Sequence, residues 1–529
     1  MTRDRDFLLW TACLALLALG AFASRSYTPI DETRYLSVAW EMWQRGDWLV
    51  PFKNGEPYSH KPPLLFWLIQ AGWWLGGVNE WWPRLVSPLF ALAALWLTRR
   101  IAAQLWPECP EATRLAPWIL LGSLLWAFYV QTVMFDALMT FWVLVGVWGL
   151  LRVGAGDGRA WWFLALAIGL GILSKGPAVF LHLLPPALLA PWWLPAARVD
   201  RRRWYGRLLL AVCGGALVAL AWAVPAGIHG GQAYRNAIFW GQTANRMVES
   251  FAHQRPLWWY LPLLPALLFP WLVWPPLWRR LRTLRRSADA GQRLVLAWML
   301  PAFLAFSLVS GKQVHYLLPE FPAFALLAAR LLAARGAPSR PWLPAAVVAL
   351  LGLAVLLLPV LHLPRDLQDL AQAPAWGGAG FLLLAWWMAA TRGEPADQVV
   401  RLSLASQAAT LLVGLVLIRS LAAGYDVRPM SREIAAVQAR GLPVAHFGEY
   451  HAQFQFAGRL SRPLAEVRDR DAMQAWLAAH PDGAVVLYPA PRADISAYRP
   501  LFVQPYLNGR AALFRAGDAR AYLSGKTGG

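Results

Sequence analysis

Apolar runs recur along this chain that could cross about 30 Å of hydrocarbon at a helical rise of about 1.5 Å per residue, some only with help from flanking residues. Their cores fall near 7–23, 85–98, 116–133, 137–151, 161–174, 177–195, 208–226, 258–278, 294–310, 316–334, 342–361, 376–391 and 402–420, thirteen in all. Backbone inside lipid must satisfy its own hydrogen bonds, so such runs fold as helices. Only 15% of the residues are charged and 58% are hydrophobic, where soluble domains carry about a quarter charged residues. The expectation is a polytopic α-helical membrane protein with about 13 transmembrane helices. The first run is longer than a signal-peptide core and lacks a convincing small-residue cleavage site, so it reads as a membrane helix.

The net charge of +20 does not indicate a nucleic-acid partner, because the basic residues sit in short clusters between apolar runs rather than along one surface. They report topology. With the N-terminus in the cytoplasm, the cytoplasmic loops hold 23 Lys and Arg against 12 in the opposite loops, the C-terminal region left out, the bias expected of membrane proteins. Thirteen crossings then place the C-terminal region outside. The predicted domains are a transmembrane domain over 1–420 and a soluble periplasmic domain over 421–529. In the latter, PVAHFGEY (443–450) and AVVLYPA (484–490) predict strands and RDRDAMQAWLAAH (468–480) predicts a helix, giving a small α/β domain. The three cysteines form no CxxC pair and read as packing residues.

Lysine is used sparingly, five against 44 arginines, yet Lys53, Lys61, Lys175 and Lys312 all fall on the outer side of this topology. Asp31 and Asp136 join them there. Charge at the edge of a membrane span is costly, so this one-sided collection predicts a site at the outer interface. The segment DETRYLSVAWEMWQR (31–45) places Asp31, Arg34 and Tyr35 on one helical face, with Trp40 and Trp43 available to lie in the interface. Glu32 points elsewhere and is expected to be solvated. A second candidate in-plane helix, HKPPLLFWLIQAGWW (60–74), follows.

Six stretches carry a family resemblance: DETRY (31–35), GDWLVPFKNGEPYSHKPPLLFWL (46–68), FDALMTFW (135–142), LSKGPA (173–178), FAHQRPLWWYLPLL (251–264) and KQVHYLLPEFPA (312–323). In order and spacing they resemble the bacterial lipid A 4-amino-4-deoxy-L-arabinose transferases and the wider protein mannosyltransferase-like glycosyltransferases of the GT-C fold. The resemblance implies an enzyme that takes a sugar from an undecaprenyl-phosphate carrier and transfers it to lipid A or another lipopolysaccharide component. Transfer would occur at the outer face of the bacterial inner membrane. The motifs mark the superfamily more sharply than the sugar.

Displacement at an anomeric carbon needs a carboxylate near the nucleophile and cations to hold the departing phosphate. No Gly-rich nucleotide loop is present, as expected if the donor is a lipid phosphate. Asp31 matches the family's first-loop acid and is the candidate general base or acceptor-orienting carboxylate; a helix N-cap is its structural alternative. Asp136 is the candidate second acid, with the same alternative. Lys61 resembles the family lysine that lies near acid and phosphate, and two prolines fix the backbone after it; a snorkelling lysine is the alternative. Lys175 and Lys312 are phosphate candidates or interface anchors, and Arg34, Tyr35, Tyr58 and His315 are further substrate contacts. His60 stands where relatives commonly have Glu, and His253 matches a histidine of the large outer loop. In the family these two positions can bind a metal. A Zn²⁺ site on His60 and His253 is therefore open, beside the simpler reading of two hydrogen-bonded histidines, and no cofactor is required. HFGEYH (446–451) reads equally as a strand and turn or as a site, and no catalysis is assigned to it. The competing function is a lipid-linked sugar transporter or flippase, although no internal repeat is visible; protein or another glycan is the alternative acceptor.

Overall fold

A computed structural model describes residues 2–195, 200–241, 254–285, 288–491 and 493–525. Chain contacts divide it into two compact units. The first comprises Met1–Gly20, Ser59–Leu356 and Ala375–Val413; the second comprises Ala21–Tyr58, Leu357–Pro374 and Gly414–Gly529.

Every expected apolar run lies on mainly helical backbone, but span length is reached unevenly. Seven helices among the described residues are long and apolar enough to cross a membrane. They include α1 (Thr2–Ser24), α4 (Trp81–Leu105), α7 (Asp136–Gly154) and the helix Arg201–His229. Other runs are divided by identifiable residues. The run 116–133 parts into α5 (Pro110–Leu121) and α6 (Leu124–Tyr129), with Ser123 extended between them. The run 258–278 holds five prolines and becomes short α and 3-10 pieces such as Leu264–Leu267 and Trp271–Val273, since each proline removes a backbone donor and crowds the preceding turn.

Within the first unit, α7 packs on α8 (Trp161–Lys175), and α8 packs on Arg201–His229. The second contact is close because it is built on glycine. A Cβ on Gly169 would lie 2.5 Å from Val218 and 3.0 Å from the Gly215 carbonyl, the small-residue packing that membrane helices favour. α3 (Leu64–Gly76), which follows HKPP, packs on α4 and α8, and α9 (Val179–Leu188) packs on the helix Ala290–Leu308.

In the second unit, α2 (Asp31–Arg45) leads into a hairpin of β1 (Phe52–Lys53) and β2 (Glu56–Pro57). Asn54 and Gly55 both have positive φ there, the backbone an Asn-Gly hairpin turn demands. The C-terminal part is a five-stranded mixed sheet. The strands are β3 (Val444–Phe447), β4 (Ala465–Val467), β5 (Ala484–Leu487), β6 (Phe502–Tyr506) and β7 (Gly509–Arg515), in the order β4-β3-β5-β7-β6. β3 is parallel to β4 and β5, and β7 is antiparallel to β5 and β6. Both faces are covered: Val444, Val486 and Leu513 enter one core with Met430 and Ile434, while Ala445, Val485 and Phe514 enter the other with Met473 and Leu477. The expected helix runs Arg470–Ala479, capped by the Asp469 carboxylate. The strands β4, β6 and β7 were not anticipated from the sequence.

Candidate functional site

In the first unit the chemistry gathers around Asp136. It is the first residue of α7 and is 1% exposed. No capping hydrogen bond is made by its side chain; Oδ1 instead pairs with Nζ of Lys175, the last residue of α8. The cap alternative therefore does not describe Asp136. A carboxylate buried to this degree needs a cation, and the SKGPA turn at the end of α8 delivers one. Oδ2 has no hydrogen-bond partner among the described residues.

Aromatic rings and further positive charge surround the pair. Lys175 Nζ lies 4.8 Å from the centroid of Tyr316, and Lys61 Nζ lies 5.7 Å from the centroid of Phe135, both within cation–π range. Lys61 and His315 are within electrostatic reach of Asp136. His315 packs on Tyr129 and Tyr316, with centroids 5.4 and 5.0 Å apart. One buried carboxylate thus sits beside two lysines and a histidine, on residues drawn from the ends of α7 and α8, the loop before α3 and the 3-10 helix Val314–Glu320. The excess is positive. That arrangement has the charge to hold an anion, with Asp136 fixing the direction of Lys175.

Lys312 is placed differently. Its ammonium donates to the carbonyls of Arg255 at 3.0 Å and Val309 at 2.5 Å, and the residue is 2% exposed. Lys312 ties two backbone segments together beside the Gln254–Gly311 bridge.

In the second unit, α2 carries the other acid. Asp31 pairs with Arg34 one turn on, and the Tyr35 hydroxyl donates to Asp31 Oδ1 at 3.3 Å. No capping bond is made by Asp31, the cap position being Ile30. The carboxylate keeps 49% of its surface exposed, open to a ligand on one side and oriented on the other. Burial, then the neighbouring carboxylate, push the Tyr35 hydroxyl well above its ordinary pKa, so it remains a donor. Tyr58 lies within electrostatic reach of Arg34 and Tyr35.

Glu32 corrects an expectation. It is 3% exposed rather than solvated, pairing with Arg25 and accepting from the Thr28 backbone N–H at 2.9 Å. It locks the entry into α2. Trp40 is likewise not left to lipid: its indole N–H donates to the Leu460 carbonyl at 3.0 Å. Ser37 donates to the Ala452 carbonyl at 2.6 Å and accepts from Phe456 N–H at 3.2 Å, while Lys53 donates to the Tyr450 carbonyl at 3.0 Å. The segment after β3 thus fastens α2 and its hairpin.

His60 is exposed, and His253 lies outside the described residues, so the geometry of that pair is not part of this structure. Among the described residues no group of three or more His, Cys, Asp or Glu is placed to hold a metal ion. Sequence reasoning passed over Tyr316 and Phe135, although both adjoin residues it singled out, His315 and Asp136. It also passed over His182 and Glu320, which were legible as ionisable residues in apolar surroundings.

Comparison with known proteins supplies the family. Residues 60–229 match the model of the dolichyl-phosphate-mannose-protein mannosyltransferases. The chain is 32% identical over 360 residues to an undecaprenyl phosphate-alpha-4-amino-4-deoxy-L-arabinose arabinosyl transferase of Pectobacterium atrosepticum, covering 64% of this chain and 63% of that protein. It is 34% identical over 340 residues to the transferase of that name from Pseudomonas aeruginosa, covering 61% and 60%. The chain is similar to this aminoarabinose-transferase-like and mannosyltransferase-like family. It spans a little under two thirds of the length of these relatives. The family's GT-C fold extends further than the sequence match. The structure of ArnT from Cupriavidus metallidurans in the apo state superposes with a TM-score of 0.75 at 19% identity, covering 98% of this chain and 99% of that one. The same protein bound to undecaprenyl phosphate gives 0.70 at 21% identity, covering 96% and 97%. The chain is accordingly a multi-pass membrane protein.

Proposed function

We propose that this protein is an inner-membrane glycosyltransferase. It moves a sugar, of the aminoarabinose type, from undecaprenyl phosphate to lipid A or another lipopolysaccharide component at the periplasmic face. The observation that carries this reading is the Asp136–Lys175 pair with Lys61, His315 and Tyr316 around it. In the reaction, an acceptor oxygen attacks the anomeric carbon of the donor sugar. The carbon–oxygen bond to undecaprenyl phosphate breaks, and the phosphate leaves with the bonding electrons. Cations held in place before the reaction stabilise that developing charge without reorganisation. Lys175, oriented by Asp136, and Lys61, behind its fixed Pro62–Pro63 backbone, do this here. Relatives named for an undecaprenyl phosphate sugar donor, and an ArnT of the same fold bound to that lipid, support the donor class.

Asp31 is the acceptor-side carboxylate. A phosphate acceptor is already nucleophilic at neutral pH and needs orientation, whereas a hydroxyl acceptor also surrenders its proton to a base. The basic-residue bias supports a cytoplasmic N-terminus and a periplasmic C-terminal region. The test is transfer by purified protein in detergent from undecaprenyl-phosphate aminoarabinose to lipid A, followed by mass spectrometry. Sugar on lipid A supports the reading. An intact donor under these conditions, with donor movement across reconstituted vesicles, would replace it with a flippase.

A further inference from the structure

His182 and Glu320 form an ionisable pair in the apolar part of the first unit. His182 lies on α9, in the run VFLHLLPPAL. Glu320 ends the 3-10 helix Val314–Glu320. His182 Nδ1 and Glu320 Oε1 are hydrogen-bonded, and the side chains retain only 0% and 7% of their exposure. His182 Nε2 has no partner among the described residues, and Phe306 covers the ring with centroids 5.3 Å apart. Stability alone does not explain such a pair. Taking both groups from water costs about as much as their attraction returns, and an apolar pair of similar volume is often as stable or more so. Ionisable residues at this depth are usually kept for function.

Their position in the chain shows which function. Only residues 176–178 separate α9 from Lys175 at the end of α8, and Glu320 closes the segment that begins with Val314, His315 and Tyr316. Lys175, just ahead of α9, lies over Tyr316 near the start of the 314–320 segment. His182 is itself within electrostatic reach of Lys175 and Asp136. The 314–320 segment packs on α7 and on the helix Ala290–Leu308, but its own 3-10 hydrogen bonds are poorly aligned and Pro319 removes one donor, so a polar clasp to α9 adds directional hold that apolar packing does not give.

We propose that His182 and Glu320 are positioning residues, a clasp that holds the 314–320 segment on α9. Tyr316 and His315 thereby stay against Lys175 and Asp136. This rests on the reading of that cluster as the donor-phosphate site. The experiment compares wild type, the apolar double variant His182→Leu with Glu320→Leu, and the reversed pair His182→Glu with Glu320→His. Melting, hydrogen exchange over residues 314–320, and kcat and KM for the lipid-linked donor are measured on each purified protein. The double variant is expected to melt at or above wild type, yet to lose protection over 314–320. Its kcat should fall about tenfold or more while donor KM changes by less than about threefold, the mark of a misaligned group rather than a lost binding contact. The reversed pair should recover protection and most of kcat. Unchanged protection over 314–320 in the double variant would overturn the clasp, as would a folded reversed pair that recovers neither quantity. A wild type that exchanges as expected but transfers no sugar would reject the donor-site reading and leave the clasp standing.

Discussion

Asp31→Asn separates chemistry from architecture because the structure makes the architectural cost small. Asp31 makes no capping bond, so the substitution removes no helix cap. What it weakens is the ion pair with Arg34, whose side chains are 49% and 20% exposed. Such partly solvated pairs contribute about 0–1 kcal/mol. The Tyr35 hydroxyl keeps an acceptor in the Asn oxygen. For a chain of this size the melting point should fall by no more than about 2 °C. Loss of a general base or nucleophile-orienting carboxylate instead costs about two to four decades in rate, or about 3–5 kcal/mol of barrier. The two effects differ severalfold, so one protein preparation decides between them. Asp31→Asn should express and melt like wild type in detergent while transfer falls at least a hundredfold on the same scale. A hydroxyl acceptor should show a larger loss than a phosphate acceptor. Asp31→Ala should be nearly as stable as Asp31→Asn, since neither loses a cap. Transfer by Asp31→Asn at half the wild-type rate would refute the assigned role.

The remaining predictions address charge, pH, metal and orientation. Lys61→Ala should lose about one to two decades in rate or donor affinity, the effect of removing a charge-assisted contact, and Lys61→Arg should also be impaired because a planar fork does not replace a compact ammonium behind two prolines; normal donor kinetics in both would remove Lys61 from the site. His446, in the C-terminal sheet, has its pKa lowered to about 4 by burial, against opposing effects from the Gly448 carbonyl and Glu466. The neutral ring is therefore the folded form, and its contribution is present above pH 6.5 and lost as pH falls toward 4, about 3 kcal/mol in all. The protection of residues 444–447 relative to their intrinsic exchange rate at each pH should fall between pH 7 and pH 4.5 in wild type and much less in His446→Gln, an equal fall in both showing that another group is responsible. Because lysines supply the positive charge, chelation with EDTA should leave transfer within about twofold, and abolition restored by Zn²⁺ would reinstate a metal at His60 and His253. A reporter fused after Gly529 should be active only on the periplasmic side, and cytoplasmic activity would overturn the odd number of crossings.

Asp31, Arg34 and Tyr35 were legible as one face of a helix because three- and four-residue spacing is a local property. The same spacing could not say whether Asp31 caps that helix or pairs with Arg34, since both use nearby groups and differ only in rotamer. Glu32 was misjudged for a related reason: helical spacing places it away from Asp31, and it does not reveal that Arg25 and the Thr28 N–H wait there. Lys312 and Lys175 looked alike as lone outer-side lysines. One donates to backbone carbonyls and the other to Asp136, a distinction made by residues 57 and 39 positions away.

In this protein the sequence by itself determined the solvent each segment must occupy. Apolar length requires helices in lipid, and the strand patterns at 443–450 and 484–490 announce a folded region beyond the spans, all through properties of a few adjacent residues. Tertiary structure decided which charges are partners. Asp136 meets Lys175 because α7 and α8 pack together, and His182 meets Glu320 across 138 residues of chain. The short strand β4 and the β6–β7 hairpin find their places only in a sheet whose order is β4-β3-β5-β7-β6. The physical reason is the difference in range. Transfer of a segment from water to lipid is a sum over its own side chains, whereas a buried charge is stabilised by whichever opposite charge the packing of distant helices brings within a few ångströms.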